Sequence, residues 1–305
     1  MKNAHADAVP VSPTHITAVP RTARLADYVT LTKPRLNFLV VATSAAGYYL
    51  GTTGRVDTVA MVTAVAGTAL VAGGAAVLNQ VYERDTDALM RRTRRRPLPD
   101  GRIAPTDATW FGLVLSTGGL ALLAARANVL AALLAAATLV TYLVVYTPIK
   151  RKTPLATLVG AVPGALPPLI GWTAAQGAIT AGGLALFAIV FLWQVPHFMA
   201  IAWMYRDDYG KAGFPMLPVV EPDGRRTGRH AAIFALLLVP ATIVPTIVGV
   251  SGQMYTAIAV TLGAAIVWLA LRFAVRRTDA SARHLFFASI IYLPLIWIAM
   301  IWDRL

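Results

Sequence analysis

Hydrophobic and polar residues alternate along this chain in long blocks, with nine apolar segments separated by shorter polar stretches. Each segment approaches the ~20 residues that an α-helix needs to cross the hydrocarbon core of a bilayer. We place them at about 36–53, 56–82, 107–125, 128–147, 154–174, 181–205, 231–250, 253–274 and 283–302. Gly249, Ser251 and Gly252 form the turn signal between two of them. The pattern predicts an all-α polytopic membrane protein with nine transmembrane helices.

Composition agrees with this interpretation. Of the 305 residues, 57% are hydrophobic and 13% are charged, whereas soluble domains carry about 25% charged residues. The chain has no cysteine, which excludes disulfides, thiolate metal sites and a cysteine nucleophile. Residues 1–30 lack the basic and then apolar pattern of a signal peptide. We interpret them as a disordered cytoplasmic tail, and residues 31–305 as a single transmembrane domain.

The basic residues indicate how the chain is oriented. A net charge of +13 would suggest a nucleic-acid partner in a soluble protein. Here all Lys and Arg residues except Arg55, Arg126 and Arg304 fall in the N-terminal tail or in the loops after segments 2, 4, 6 and 8. The positive-inside rule explains this distribution without any nucleic acid. It predicts an N-in, C-out protein of a bacterial inner membrane, and Asp7 and Asp27 argue against a mitochondrial presequence.

A polar stripe follows the second apolar segment. On a helix, Asn79, Glu83 and Asp87 fall at roughly 0°, 40° and 80° around the axis, so that their side chains share one face. Such oxygen-bearing side chains suit Mg²⁺, which usually arrives with substrate phosphates. The arginines that follow, among them Arg92 and Arg96, suit the same anionic partner. The alternative is a stop-transfer flank, in which the arginines only mark the cytoplasmic side.

A second acidic site, with Asp207 and Asp208, follows the sixth segment at the same predicted membrane face. Two carboxylate clusters at one face could hold a diphosphate through Mg²⁺. If Pro196 does not rotate the helical register, Gln194, His197 and Asp208 lie on the same face as Tyr205, and His197 lies roughly 16 Å deeper than Asp208. An ionisable residue at that depth is a functional candidate by default. The alternative is a neutral histidine that forms a hydrogen bond between helices.

The loop after the fourth segment carries three consecutive bases. Lys150, Arg151 and Lys152 lie between Pro148 and Pro154. This short cationic stretch could bind a phosphate group, because Lys and Arg are the side chains that recognise such anions. It could equally serve only to anchor the loop on the cytoplasmic side.

Five stretches of the chain carry distinctive residue patterns in a fixed order: Asn79–Leu98, Tyr146–Arg151, Gly160–Trp172, Trp193–Phe198 and Asp208–Pro218. Together they resemble a known family, the UbiA-type intramembrane prenyltransferases, and in particular those members that farnesylate protohaem IX. The resemblance implies nine helices around a central cavity, farnesyl diphosphate and protohaem IX as substrates, and Mg²⁺ as cofactor. It also implies haem O and diphosphate as products, and it would allow a partner in haem A synthesis or oxidase assembly.

The resemblance also implies roles for individual residues. Asn79, Glu83, Asp87 and Asp208 would form the catalytic Mg²⁺–diphosphate site. Arg92, Arg96, Lys150 and Arg151 would contact diphosphate or haem propionates, and His197, Gln194 and Tyr205 would face the haem. In this chain Glu83 stands where many relatives have Asp, and Ala156 stands where the family usually has Asn.

Two other functions are compatible with these residues. One is a prenyltransferase of the same type that acts on a quinone precursor or a chlorin. The other is a secondary transporter, although transporters usually place ionisable residues near the midplane and show paired repeats. Here the acids lie at the interface and no clear repeat is visible.

Overall fold

The computed structural model describes residues 24–305. Its helices are α1 Leu25–Leu31, α2 Pro34–Gly51, α3 Thr58–Leu89, α4 Pro105–Arg126, α5 Val129–Val140, α6 Thr147–Ile149, α7 Ala156–Gln176, α8 Ala181–Met204, α9 Arg206–Lys211, α10 Leu217–Val220, α11 Arg225–Ile247, α12 Gln253–Arg276 and α13 Asp279–Trp302. A π-helical segment, Thr141–Tyr146, joins α5 to α6. Apart from an isolated bridge between Ser251 and Arg304, the described residues contain no β-structure. The predicted all-α class is confirmed.

Each of the nine predicted segments corresponds to a helix or, for 128–147, to the continuous run Val129–Ile149. Eight of these helices are long and apolar enough to cross a membrane. The remaining one, α2, has 18 residues but begins with Pro34 and Arg35 and contains Asn37, which lower its apolar content. The chain is therefore a multi-helix membrane protein, and the count of nine spans stays a prediction, as does the N-in, C-out orientation.

The predicted disordered tail of residues 1–30 lies mostly outside the described residues. Its last part is corrected, because Leu25–Leu31 form helix α1. Asp27 is buried in an ion pair with Arg102, and the Tyr28 ring packs edge-on against Phe111 at 5.1 Å. These contacts fix α1 on the ends of α3 and α4, which sequence periodicity over seven residues could not reveal.

Small residues determine how closely the long helices cross. Gly47 of α2 lies directly against the backbone of Pro168 in α7, and Gly171 of α7 lies against the backbone of Ser44. Such contacts are open only to glycine, and they are typical of helices packed in a membrane. Helix α7 remains one helix although Pro163, Pro167 and Pro168 lie inside it.

The segment after α8 does not continue as a helix. Helix α8 ends at Met204, and Tyr205 adopts φ −112° and ψ 20° before the short helix α9 begins. The predicted segment 181–205 ends close to the end of α8, but the helical angle counted on to Asp208 does not hold, because the helix is interrupted at Tyr205. The chain instead folds back onto the end of α3, where Met90, Ala212 and Phe214 form a small buried cluster.

Candidate active site

The polar stripe of α3 lines a cavity at one end of the helix bundle. Asn79, Glu83 and Asp87 are 2%, 4% and 1% exposed, so all three are buried, as expected for side chains on one inward face. The cavity has a volume of about 180 Å³. Residues at the start of α2, in the π-helical segment and in the chain after α8 also line it. The other lining residues are Lys33, Leu36, Met90, Arg92, Arg96, Tyr142, Tyr146, Lys150, Tyr209, Phe214 and Met216.

Both carboxylates of the stripe have a basic partner. Asp87 Oδ2 accepts a hydrogen bond from Arg96 Nη1 at 2.7 Å, and Glu83 forms an ion pair with Lys150. Thr93 helps to place the arginine, because its hydroxyl donates to the Asp87 carbonyl at 2.7 Å and turns the chain back over the end of α3. Pairing of this kind offsets the cost of burying a carboxylate away from water.

The orientation of the Asn79 amide is fixed by two neighbours. The Thr147 hydroxyl donates to the Tyr142 carbonyl at 2.7 Å, so its oxygen is left to accept a hydrogen bond from Asn79 Nδ2 at 3.1 Å. Asn79 Oδ1 then faces the Tyr142 hydroxyl, which donates to it at 3.3 Å. These two bonds, both to residues at or beside the π-helical segment, fix which end of the Asn79 amide carries the oxygen. Short π-helical segments often occur at functional sites.

Arg92 reaches the cavity over aromatic rings. Its guanidinium lies 5.2 Å from the centre of the Tyr209 ring and 5.9 Å from that of Tyr205, and it donates to the Tyr209 hydroxyl at 3.3 Å. Burial raises the pKa of the Tyr209 hydroxyl, and the Arg92 guanidinium acts in the opposite direction. Tyr205, which was predicted to face haem, is 43% exposed and lies under the Arg92 guanidinium. Its haem-side role stays a prediction.

Two residues that were predicted to bind Mg²⁺ or the diphosphate, Arg151 and Asp208, do not line the cavity. Arg151 instead packs over the Tyr82 ring at 5.7 Å and donates to the Thr86 hydroxyl at 3.2 Å. The side chain of Asp208 forms no ion pair or hydrogen bond with residues 24–305, although its neighbour Tyr209 does line the cavity.

Sequence reasoning missed one cation of the cavity, Lys33, which it counted only for topology. Burial, and next the nearby Arg96 guanidinium, lower the pKa of the Lys33 ammonium from 10.5 to about 7. One sequence signal was available: a proline is common at the first position of a helix, so Pro34 predicts a helix start there and places Lys33 at the turn that precedes it. The aromatic lining from Tyr142, Tyr146 and Phe214 was likewise not predicted.

The family model described as the UbiA prenyltransferase family matches residues 40–291. The chain belongs to the UbiA prenyltransferase family. It is therefore an intramembrane prenyltransferase, and the resemblance inferred from the sequence is confirmed.

Individual relatives within the UbiA family are more specific. A protein named protoheme IX farnesyltransferase from Solibacter usitatus is 44% identical over 287 residues, which cover 91% of this chain and 98% of that relative. One of the same name from an Anaeromyxobacter species is 46% identical over 275 residues, with 90% and 92% covered.

Solved structures of the family share the fold. A digeranylgeranylglyceryl phosphate synthase aligns with a TM-score of 0.78 at 18% identity, covering 92% of this chain and 98% of that protein. A UbiA homologue from Archaeoglobus fulgidus, bound to DMAPP and Mg²⁺, aligns with a TM-score of 0.66 at 18% identity, covering 90% and 99%. At this identity the likeness shows the fold alone.

The donor set of the cavity fits the magnesium ion that this family implies. Residues 24–305 contain no group of three His, Cys, Asp or Glu residues placed to hold a metal by themselves. Mg²⁺ does not require one, because it is usually held by one or two carboxylates together with substrate phosphates and water. Glu83 and Asp87 supply two carboxylates, and the fixed amide of Asn79 supplies a further oxygen.

The two predicted haem-side residues of α8 contact different helices, and neither lines the cavity. Gln194 Nε2 donates to the carbonyl of Ala161 in α7 at 3.2 Å. His197 Nδ1 lies 2.8 Å from the Ser289 hydroxyl of α13, and its ring stacks on Trp193 at 4.9 Å and on Phe286 at 5.1 Å. These contacts match the alternative of a histidine bonded between helices, and the haem role stays a prediction.

A pair of variants separates these two roles of His197. We expect His197→Ala and Ser289→Ala each to lower the midpoint of thermal denaturation in detergent, because each removes the bond between α8 and α13. Haem affinity, measured by optical titration, should remain similar in the two variants. An affinity that falls in His197→Ala alone would instead support a direct haem contact.

Proposed function

We propose that this chain transfers the farnesyl group of farnesyl diphosphate to a vinyl group of protohaem IX, giving haem O and diphosphate. The observation that carries the proposal is the charge of the cavity, in a chain so similar to proteins named protoheme IX farnesyltransferase. Two carboxylates face four cations there, so the lining favours an anionic ligand. The cations are Lys33, Arg92, Arg96 and Lys150.

The size of the cavity suggests which part of the substrate it takes. Pockets for whole drug-sized ligands measure roughly 300–1,000 Å³, whereas this cavity measures about 180 Å³. It suits the diphosphate group, and the prenyl chain and the porphyrin would extend from it toward the apolar helices. Tyr146 and Phe214, which lie on either side of the Lys150 ammonium at 5.6 and 5.0 Å, would shield the reacting carbon from water.

Asn79, Glu83 and Asp87 would hold a magnesium ion, with Asp208 on α9 as the proposed second contact. Bound Mg²⁺ would neutralise charge on the diphosphate and so make the leaving group more stable. Arg92, Arg96 and Lys150 would bind the phosphate oxygens and stabilise the charge that develops there. Arg151, which follows Lys150 in the chain, would contact diphosphate or a haem propionate.

In the proposed transfer, the farnesyl group moves from diphosphate to a vinyl group of haem, and one water molecule is added. The bond from carbon 1 of the farnesyl group to oxygen breaks, and the electron pair leaves with diphosphate. The terminal carbon of the haem vinyl group forms the new bond to carbon 1, which leaves a cation on the vinyl carbon next to the ring. A water molecule adds to that carbon and loses a proton, which gives the hydroxyethylfarnesyl group of haem O.

We also propose where the reaction takes place. The basic loops predict that the cavity faces the cytoplasm of a bacterium, in an inner membrane that residues 31–305 cross as one domain. Both substrates are amphiphilic, so lateral access from the bilayer is expected. The product would pass to a protein of haem A synthesis or oxidase assembly in the same membrane.

An assay with two acceptors tests the proposal. Purified protein in detergent, given farnesyl diphosphate and Mg²⁺, should release diphosphate and form haem O when protohaem IX is present, and should form no product with a phenolic acceptor. Prenylation of the phenol but not of haem would favour the quinone-precursor alternative. Absence of diphosphate release with any acceptor would contradict a transferase.

A further inference from the structure

One residue of the cavity has an unusual backbone conformation. Among residues 24–305, only Lys33 and Arg277 combine a side chain with positive φ. Arg277 follows the end of α12, where a left-handed residue is common. Lys33, with φ 50° and ψ 57°, instead precedes the start of α2, where an extended conformation is usual. For a residue other than glycine this conformation is unfavourable, and such strain tends to occur at functional sites.

The surrounding bonds hold Lys33 in this conformation. Its amide donates to the carbonyl of Thr30 at 3.1 Å, and its carbonyl accepts from the amides of Leu36 and Asn37, both at 3.0 Å. The Asn37 side chain also donates to the carbonyl of Thr32 at 2.6 Å. The chain therefore reverses sharply between α1 and α2, and this reversal points the Lys33 side chain into the cavity beside Glu83 and Asp87.

Lys33 differs from the other cations of the cavity in forming no ion pair or hydrogen bond. Lys150 pairs with Glu83, and Arg96 pairs with Asp87. Arg92 donates to Tyr209. Within residues 24–305, the Lys33 ammonium feels Glu83 and Asp87 only through space, with no direct contact to either. A partly buried cation without a direct partner is unfavourable, and an anion bound in the cavity would supply that partner.

We propose that Lys33 binds the diphosphate group directly, and that its left-handed backbone exists to place the ammonium there. The inference rests on the proposed function, because it assigns a contact for the same diphosphate. An arriving anion provides the ion-pair partner that the Lys33 ammonium lacks. Arg96 and Lys150 already pair with Asp87 and Glu83, so Lys33 adds a cation whose charge is not already matched in an ion pair.

The strain makes the proposal testable, because removing the Lys33 side chain should weaken diphosphate binding without lowering thermal stability. Lys33→Gly suits the left-handed backbone and should leave the midpoint of thermal denaturation equal to or above that of wild type. Its dissociation constant for inorganic diphosphate with Mg²⁺, measured by calorimetry, should rise at least ~10-fold, as expected for a lost charged hydrogen bond. The KM for farnesyl diphosphate should rise in parallel, while haem affinity stays unchanged.

Two further variants complete the test. Lys33→Arg keeps a cation and should recover much of the diphosphate affinity. Arg35→Met removes an exposed cation two residues away and should bind diphosphate as wild type does. Unchanged diphosphate affinity in Lys33→Gly, or a clear loss of its thermal stability, would overturn the proposal. Neither result would contradict the proposed reaction, which is tested separately by whether the wild-type protein forms haem O.

Discussion

Glu83→Gln should lower haem O formation by roughly 10²–10³-fold, the loss seen when one electrostatic contact to a developing charge is removed. The variant keeps the size and shape of the side chain and removes only its charge. Glu83 is 4% exposed and pairs with Lys150, so the change also leaves a lysine without its counter-charge. Thermal stability in detergent should therefore fall together with turnover.

A second substitution separates the two effects. Lys150→Met in the Glu83→Gln background removes the uncompensated cation, and we expect it to recover much of the lost thermal stability but none of the activity. Recovery of haem O formation along with stability would mean that Glu83 acts only by pairing with the lysine. The control is Asp85→Asn on the same helix, whose carboxylate is 83% exposed and pairs with Arg84. It should have wild-type activity and stability.

The α3 half of the site could be predicted from sequence because it lies on one unbroken helix. Periodicity placed Asn79, Glu83 and Asp87 on one face, and in the structure α3 continues to Leu89 and buries all three. The prediction needed only the repeat of an α-helix and the rule that buried polar residues have a partner. Arg96 and Lys150 were predicted only as diphosphate or propionate contacts, and their ion pairs with Asp87 and Glu83 were not predicted.

Two positions depend on chain reversals that periodicity does not encode. The helical angle of Asp208 was counted along α8, but that helix ends at Met204, so the angle does not apply, and the metal role of Asp208 stays a prediction. Lys33 reaches the cavity through a left-handed residue that sequence pattern alone assigns to ordinary extended backbone. In both cases the position of a side chain follows from tertiary contacts of a loop, namely the Phe214 cluster and the bonds around Asn37.

His197 shows a different limit. The expectation that an ionisable residue deep in a membrane faces a cavity is a good default. It could not distinguish that case from a histidine whose polar atom is satisfied by a serine on a neighbouring helix. Ser289 is fully buried on α13, 92 residues away in sequence. No spacing rule connects the two positions, so only the packing of α8 against α13 decides between the two interpretations.

Gly171→Ala should lower the thermal midpoint by roughly 5–10 °C, because it forces α7 away from the backbone of α2. A Cβ atom at Gly171 would lie 2.8 Å from the carbonyl carbon of Ser44 and from the amide nitrogen of Tyr48, and closer still to the Ser44 oxygen. These are backbone atoms, which cannot rotate away as a side chain can. Helix α2 would have to move relative to α7.

That movement should also reduce activity, since α2 begins directly after Lys33 and α7 follows the loop that carries Lys150. A misplacement on the order of 1 Å can cost ~100-fold in rate, so turnover measured below the new thermal midpoint should fall well beyond the stability effect. Gly118→Ala is the matched control, because the added Cβ would have no atom within 4 Å on the exposed face of α4. There the higher helix propensity of alanine should leave stability equal or raised. Equal stability of the two variants would show that the α2–α7 crossing adjusts freely and does not determine the positions of these cations.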